Sequence, residues 1–224
     1  MDTGAATPHI LDQAFFARDT ATVARDLVGC VLVSTAGGAT TSGRIVETEA
    51  YLGADDPGSH ASTRGVTKRN SVMYGPPGRA YVYFTYGNHH MLNVVTRPEG
   101  VAGAVLIRAL EPLEGLDVME RRRTATRRSS SPVGLRDLAS GPGKVAAALG
   151  VDLSDNGAPL DGSATLSVLG RQGAAPAVTV SGRIGLGSGH EALLRFYIEG
   201  DRYVSTARPG RRVPKRAKAK GEST

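Results

Sequence analysis

The segment "RIVETEAYLG" at residues 44–53 carries two carboxylates and a phenol at alternate positions, Glu47, Glu49 and Tyr51. If it is a strand, period two places these three on one face and Val46, Thr48 and Ala50 on the other. A carboxylate beside a phenol can take a proton from water. A strand with one solvated face produces the same alternation, so the pattern alone leaves both readings open. Glu49 gains weight from its company: downstream of Tyr51 the irregular loop "GADDPGSH" ends in His60, placed to fold an imidazole back over the strand end.

A second group stands at residues 80–93, "AYVYFTYGNHHMLN", where three of the chain's seven tyrosines occupy six positions. Tyr81 and Tyr83 share a face, while Tyr86 falls at the turn beside Gly87 and Asn88. Buried tyrosines must each find a hydrogen-bond partner, which makes a core role for the set unexpected, whereas a platform of rings suits stacking against flat π-systems. The tip tyrosine has the shape of a wedge. His89 and His90 are adjacent and point to opposite sides of a strand, so they make no chelating pair, and no metal is assigned.

These groups need elements to hold them. "ILDQAFFARDTATVARDLVG" has helical apolar spacing, with Asp19 or Thr20 as N-cap of a second segment ending at Gly29. "CVLVST" and "TSGRIVETEAYL" read as strands around the turn "AGGAT", and "RAYVYFTYG" and "GAVLIRALEP" repeat the pattern. "PLEGLDVMERRR" reads as a helix, and "SGPGKVAAALG" as a short one with Ser140 as N-cap and Gly150 as stop. Strands return in "TLSVLG", "AVTVSGRIGLG" and "LRFYIEG". Glycine-punctuated hairpins with segregated helices predict a single α+β domain built on a curved, mostly antiparallel sheet.

Composition sets the outer limits. The 224 residues are 40% hydrophobic and 21% charged, ordinary for a globular chain of one well-cored domain. The single cysteine, Cys30, lies in an apolar run, which excludes an internal disulfide and a cysteine-based metal cluster and suits a reducing cytoplasm. No apolar run has the length of a membrane span, and the first residues lack the form of a secretory signal. Seven of the basic residues fall between Arg208 and Lys220 without an acid; subtracting them from the net +6 leaves about −1 for the rest. Such an arm is attracted to phosphate without regard to sequence, and Arg211, Arg212, Lys215 and Arg216 are its candidate nonspecific DNA contacts. An inert solvated terminus would have the same composition. A second basic cluster, "RRRTATRRSSSPVG" at 121–134, reads as a mobile loop.

Five separated stretches, "GRIVETEAYLG…DPGSHAS", "RAYVYFTYGNHHMLNVV", "VLIRALEPLEGL", "SGPGK" and "RIGLGSG…LRFY", closely resemble the alkyladenine (3-methylpurine) DNA glycosylase family in order and spacing. The resemblance runs from about residue 10 to residue 205. It implies a monomeric, monofunctional enzyme without metal or cofactor. Such an enzyme flips alkylated or deaminated purines out of duplex DNA and hydrolyses the N-glycosidic bond in base excision repair. Residues 1–207 then form the glycosylase-like domain, an open-barrel-like sheet with a protruding wedge hairpin, and 208–224 a basic, disordered tail. By the same resemblance Glu49 activates the water, with Arg108 and the backbone carbonyl of Ile184 beside it. Tyr51, His60 and Tyr83 hold the flipped base, Asn93 excludes the guanine amino group, and Tyr86 fills the vacated stack. Asn88 departs from the methionine that many relatives carry, which bears on the shape of the wedge.

Chemistry agrees with this assignment. Removing a base from the stack costs a few kcal/mol, less for a damaged or mispaired one. An alkylated purine is cationic and a good leaving group, so aromatic faces and one carboxylate suffice in outline. A zinc deaminase would require paired cysteines, and a glycosylase/lyase an amine nucleophile; no lysine lies among the pocket residues, and Lys68 and Lys144 suit solvated or helix-end roles. "GLGSG" at 185–189 lacks a phosphate-loop pattern and reads as a tight turn. The remaining alternative is a non-catalytic nucleic-acid-binding module on the same scaffold, with Glu49 as a structural group.

Overall fold

The first substantial helix starts where an aspartate can cap it. In the computed structural model, which describes residues 9–62, 65–85, 87–127 and 131–206, the Asp19 carboxylate accepts the Thr22 amide at 3.0 Å. This caps α2 (Thr20–Leu27), which follows the single turn α1 (Gln13–Phe16). The strands are β1 (Val31–Ser34), β2 (Thr41–Tyr51), β3 (Ala80–Thr85), β4 (His89–Val95), β5 (Ala104–Glu114), β6 (Leu166–Leu169), β7 (Val178–Ser181) and β8 (Arg195–Ile198), with α3 (Leu116–Ala125) and α4 (Pro142–Leu149) between β5 and β6. The strands and their pairings bear out the predicted α+β domain on an antiparallel sheet.

The sheet runs β3-β4-β5-β2-β1-β6 and forks at β2. One edge of β2 pairs with β5 along most of its length, whereas the other is shared: residues 41–44 pair with β1, and Glu47–Glu49 pair with β8, which carries β7. Two irregularities lie opposite the fork. Val46 is an extra residue on β2 and Arg108 an extra residue on β5, and the second shift undoes the first. Such bulges bend a strand and re-aim its side chains. The strict alternation predicted for β2 therefore fails at one position. Val46 packs with Ala109 and Tyr203 in a small separate cluster, while Ile45 and Ala50 enter the main core with Val23, Leu27, Leu110 and Leu149.

Two further expectations change. Gly141, not Ser140, is the N-cap of α4; the Ser140 hydroxyl instead accepts a hydrogen bond from Lys144 (3.1 Å), and Gly150 ends the helix in the left-handed conformation as predicted. The arginines of 121–123 belong to α3, as the helix reading of "PLEGLDVMERRR" has them, so the basic cluster at 121–134 is not a loop from its first residue. Arg123 is buried and donates to the Leu138 carbonyl, and Arg122 donates to the carbonyls of Ala36 and Ala148, so both hold backbone in place. No helix among the described residues is long and apolar enough to cross a membrane. Tyr86 and the basic arm with Arg211, Arg212, Lys215 and Arg216 lie outside the described residues.

Candidate active site

Both glutamates of β2 are fully buried, 0% exposed, which rules out the solvated-face reading. Such carboxylates persist only with donors around them. Glu49 has three, one from its own strand and two from distant parts of the chain. Its Oε1 accepts the Ile184 amide at 2.7 Å, and its Oε2 accepts the Tyr51 hydroxyl at 2.8 Å and Arg108 Nη1 at 3.1 Å. The resemblance assigns the Ile184 carbonyl to the site; the contact seen here comes from the amide of the same residue. Tyr51 is held as a phenol, its pKa raised well above the ordinary value by burial and then by the Glu49 charge. The bulge at Arg108 gives its guanidinium a fork, with Nε on Glu47 (2.9 Å) and Nη1 on Glu49.

Beside this cluster lies a small cavity lined by Tyr51, Gly58, His60, Met73, Tyr81, Tyr83, Asn93, Ala104 and Leu186. Four of these side chains are rings, Tyr51, His60, Tyr81 and Tyr83, a lining that suits a flat heterocycle. The predicted base-pocket residues Tyr51, His60, Tyr83 and Asn93 all face it. The His60 and Tyr83 rings meet edge to face with centroids 4.6 Å apart, and Tyr81 and Tyr83 lie 5.4 Å apart. Asn93 is buried and donates its amide to the Tyr81 carbonyl at 3.0 Å. Tyr81 does what the sequence did not suggest: it is buried, and its hydroxyl lies 2.9 Å from His60 Nδ1. Burial pushes the Tyr81 phenol up to about 12, and burial followed by the Arg69 charge lowers His60, so a neutral imidazole meets a phenol. Either group can donate across that pairing, according to which ring nitrogen of the imidazole carries the proton.

One wall of the cavity is fastened from behind by groups that sequence reasoning missed. Arg183, 0% exposed, makes a two-armed ion pair with Asp56 (2.6 Å on each arm) and donates to the carbonyls of Ala50 (2.9 Å) and Gly189 (2.8 Å). Its guanidinium carbon lies 4.9 Å from the centre of the Tyr51 ring. Burial alone would raise the Asp56 carboxyl, but Arg183 and the amides of Leu52 and Gly58 hold it below its ordinary value. Gly58 leaves room for this arrangement, since a Cβ there would stand 2.6 Å from Arg183 Nη2 and 2.7 Å from Leu186 Cδ1. Only the G in "DPGSH" and the R in "GRIG" signal these partners, and neither signals the other. Among the described residues no three His, Cys, Asp or Glu side chains are grouped to hold a metal ion.

The fold is a forked antiparallel sheet that buries a carboxylate next to a cavity lined by aromatic rings. The profile of one family, Methylpurine-DNA glycosylase, matches residues 14–202, and the chain belongs to that family. It is 46% identical over 197 residues to a protein of Carboxydothermus hydrogenoformans, covering 88% of this chain and 98% of that one. A protein of Methanoculleus marisnigri is 48% identical over 202 residues, with 87% and 98% covered, and one of Chlorobium phaeobacteroides 45% identical over 203, with 90% and 98% covered. Each of the three bears the name "Putative 3-methyladenine DNA glycosylase". The family makes this chain an N-glycosyl hydrolase of DNA repair, with DNA as its substrate.

Proposed function

We propose that the cavity receives a purine flipped out of duplex DNA, alkylated or deaminated, and that Glu49 activates the water that cleaves its N-glycosidic bond. The observation that carries this is the Glu49 carboxylate, buried and oriented by three donors at the edge of a ring-lined cavity. A water held against Glu49 gives up a proton to it as its oxygen bonds to the anomeric carbon. The bond to the base breaks and its electron pair goes to the ring nitrogen. An alkylated purine carries positive charge that this pair neutralises, so it leaves as the neutral base; a deaminated purine is neutral, leaves as its anion and takes a proton from water. Tyr51, His60 and Tyr83 would hold the ring by stacking and hydrogen bonding, with cation–π attraction adding to the binding of alkylated bases. Tyr86 would occupy the gap left in the duplex; β3 and β4 are paired up to Thr85 and His89 on either side of it. The reaction consumes water and DNA alone. A monomer without cofactor, working on chromosomal DNA in the cytoplasm, completes the proposal.

The test is single-turnover excision on duplexes carrying single lesions, read by base release and by strand cleavage after alkali. Wild type should release the base without cleaving the strand itself. Glu49→Gln should bind lesion DNA within a few-fold of wild type and lose excision by at least ~10²-fold, within the range of general acid–base contributions. Excision by Glu49→Gln close to wild type would remove Glu49 from the mechanism, and binding without excision by wild type would establish the non-catalytic module instead.

A further inference from the structure

Glu47 has no part in the chemistry just described, yet it is as deeply buried as Glu49 and more heavily bonded. Its Oε1 accepts Arg108 Nε at 2.9 Å, Arg195 Nε at 2.7 Å and the Ser205 hydroxyl at 2.9 Å, and its Oε2 accepts the Ser205 amide at 2.8 Å. Two guanidiniums and two carboxylates thus form one buried, electrically balanced cluster: Arg195–Glu47–Arg108–Glu49. Arg108 is shared between the glutamates, and it stands at the bulge where β5 carries an extra residue. Arg195 is steadied in turn by Ser181 on β7, at 3.1 Å. A structural ion pair needs one partner of each sign; here the second carboxylate is joined to the first through a common cation.

We propose that Glu47 is a positioning residue for base excision. It fixes the Arg108 guanidinium at the angle that serves Glu49, and it supplies the counter-charge that keeps Arg108 and Arg195 from weakening Glu49 as a base. Other groups facing the two carboxylates are the Tyr51 phenol from β2, Arg183 with its partner Asp56 behind the Tyr51 ring, the Ile184 amide and Ser205. The Arg183–Asp56 pair is itself neutral, so the balance at Glu49 turns on Glu47, Arg108 and Arg195. With Glu47 neutral, Glu49 would face two cations instead of a balanced set; with Arg195 removed, the cluster would carry an excess negative charge. These changes act in opposite directions on proton uptake at Glu49.

The inference rests on the proposed hydrolysis at Glu49, and the experiment separates the two. Single-turnover excision and lesion-DNA affinity are measured against pH for wild type, Glu47→Gln, Arg195→Met and the double variant, with urea unfolding of each. Glu47→Gln should lower the excision rate at neutral pH on the order of tenfold to a hundredfold, change affinity less than about threefold, and move the acid limb of the pH–rate profile down by about one unit. Arg195→Met should move that limb up. The double variant, with no unbalanced charge, should return it towards the wild-type position even if its stability is the lowest of the four. A purely structural Glu47 would give rates that follow stability, limbs that stay in place and a double variant worse than either single; that outcome overturns the proposal. If Glu47→Gln does not fold, the double variant and Arg195→Met carry the decision between them. Should Glu49→Gln excise like wild type, the hydrolysis at Glu49 fails first, whatever the Glu47 series shows.

Discussion

Asn93 ties a strand pair together at the wall of the cavity. Its amide nitrogen is committed to the Tyr81 and Met91 carbonyls, at 3.0 and 3.4 Å, which fixes how the group faces the cavity. If it excludes the exocyclic amino group of guanine, Asn93→Ser should raise release of guanine-type bases relative to adenine-type ones by several-fold, by relief of a clash worth ~1–2 kcal/mol. Competition between lesions in one duplex mixture measures the ratio directly, and an unchanged ratio would leave Asn93 as a hairpin tie. At this scale the sequence was informative where a residue type was unusual for its setting. Tyr51, His60, Tyr83 and Asn93 line one cavity, and Glu49 lies next to it behind the Tyr51 hydroxyl. Glu47, Arg183, Arg195 and Ser205 were not legible, because a charged residue in an alternating strand looks solvated until its partner is known, and these partners lie 61 to 158 residues apart.

Among the elements, the two loops that close the cavity depend on one ion pair. Arg183 joins the segment after β7 to the loop after β2 through Asp56, and nothing in either loop's own sequence sets their spacing. Arg183→Met should leave Asp56 without its cation and cost about 3–5 kcal/mol in urea unfolding at neutral pH. The pH dependence has a definite sign. Asp56 is lowered from its ordinary 3.8 and Glu47 from its ordinary 4.5 in the folded chain, so their contributions are fully present above those values and are lost as pH falls through the lowered ones. Wild type and Arg183→Met should therefore converge in stability on acidification below about pH 4, and a gap that stays constant would locate the effect in packing alone. Strand order shows what pattern reading can and cannot supply. Most strand runs were visible from turns and alternation, although β4 was implied only as the return of the tyrosine hairpin and "AVTVSGRIGLG" is a strand at Val178–Ser181 alone, whereas the fork at β2 and the paired bulges at Val46 and Arg108 arise from tertiary fit and left no mark in the spacing.

At the scale of the whole molecule, the net positive charge is concentrated near the end of the sequence. Seven cations between Arg208 and Lys220 follow a domain that is nearly neutral, so the arm should add general affinity for duplex without choosing a lesion. Ending the chain after Thr206 should flatten the salt dependence of binding to undamaged duplex and leave single-turnover excision at saturating enzyme, and the order of lesions, nearly unchanged. Equal salt slopes would make the arm inert, and a changed order of lesions would bring it to the cavity. The forked sheet has a different consequence. Glu49 draws its donors from residues 51, 108 and 184, and the cluster behind it is closed by residues 195 and 205. A chain still emerging from synthesis thus holds the β2 carboxylates without Arg195, the Ile184 amide and Ser205 until its last strand has docked, and contacts of such long sequence separation form late. The proposed hydrolytic centre has no local precursor: it comes into being with the completed fold, and a partly folded copy carries the aromatic rings without the full set of donors around Glu49.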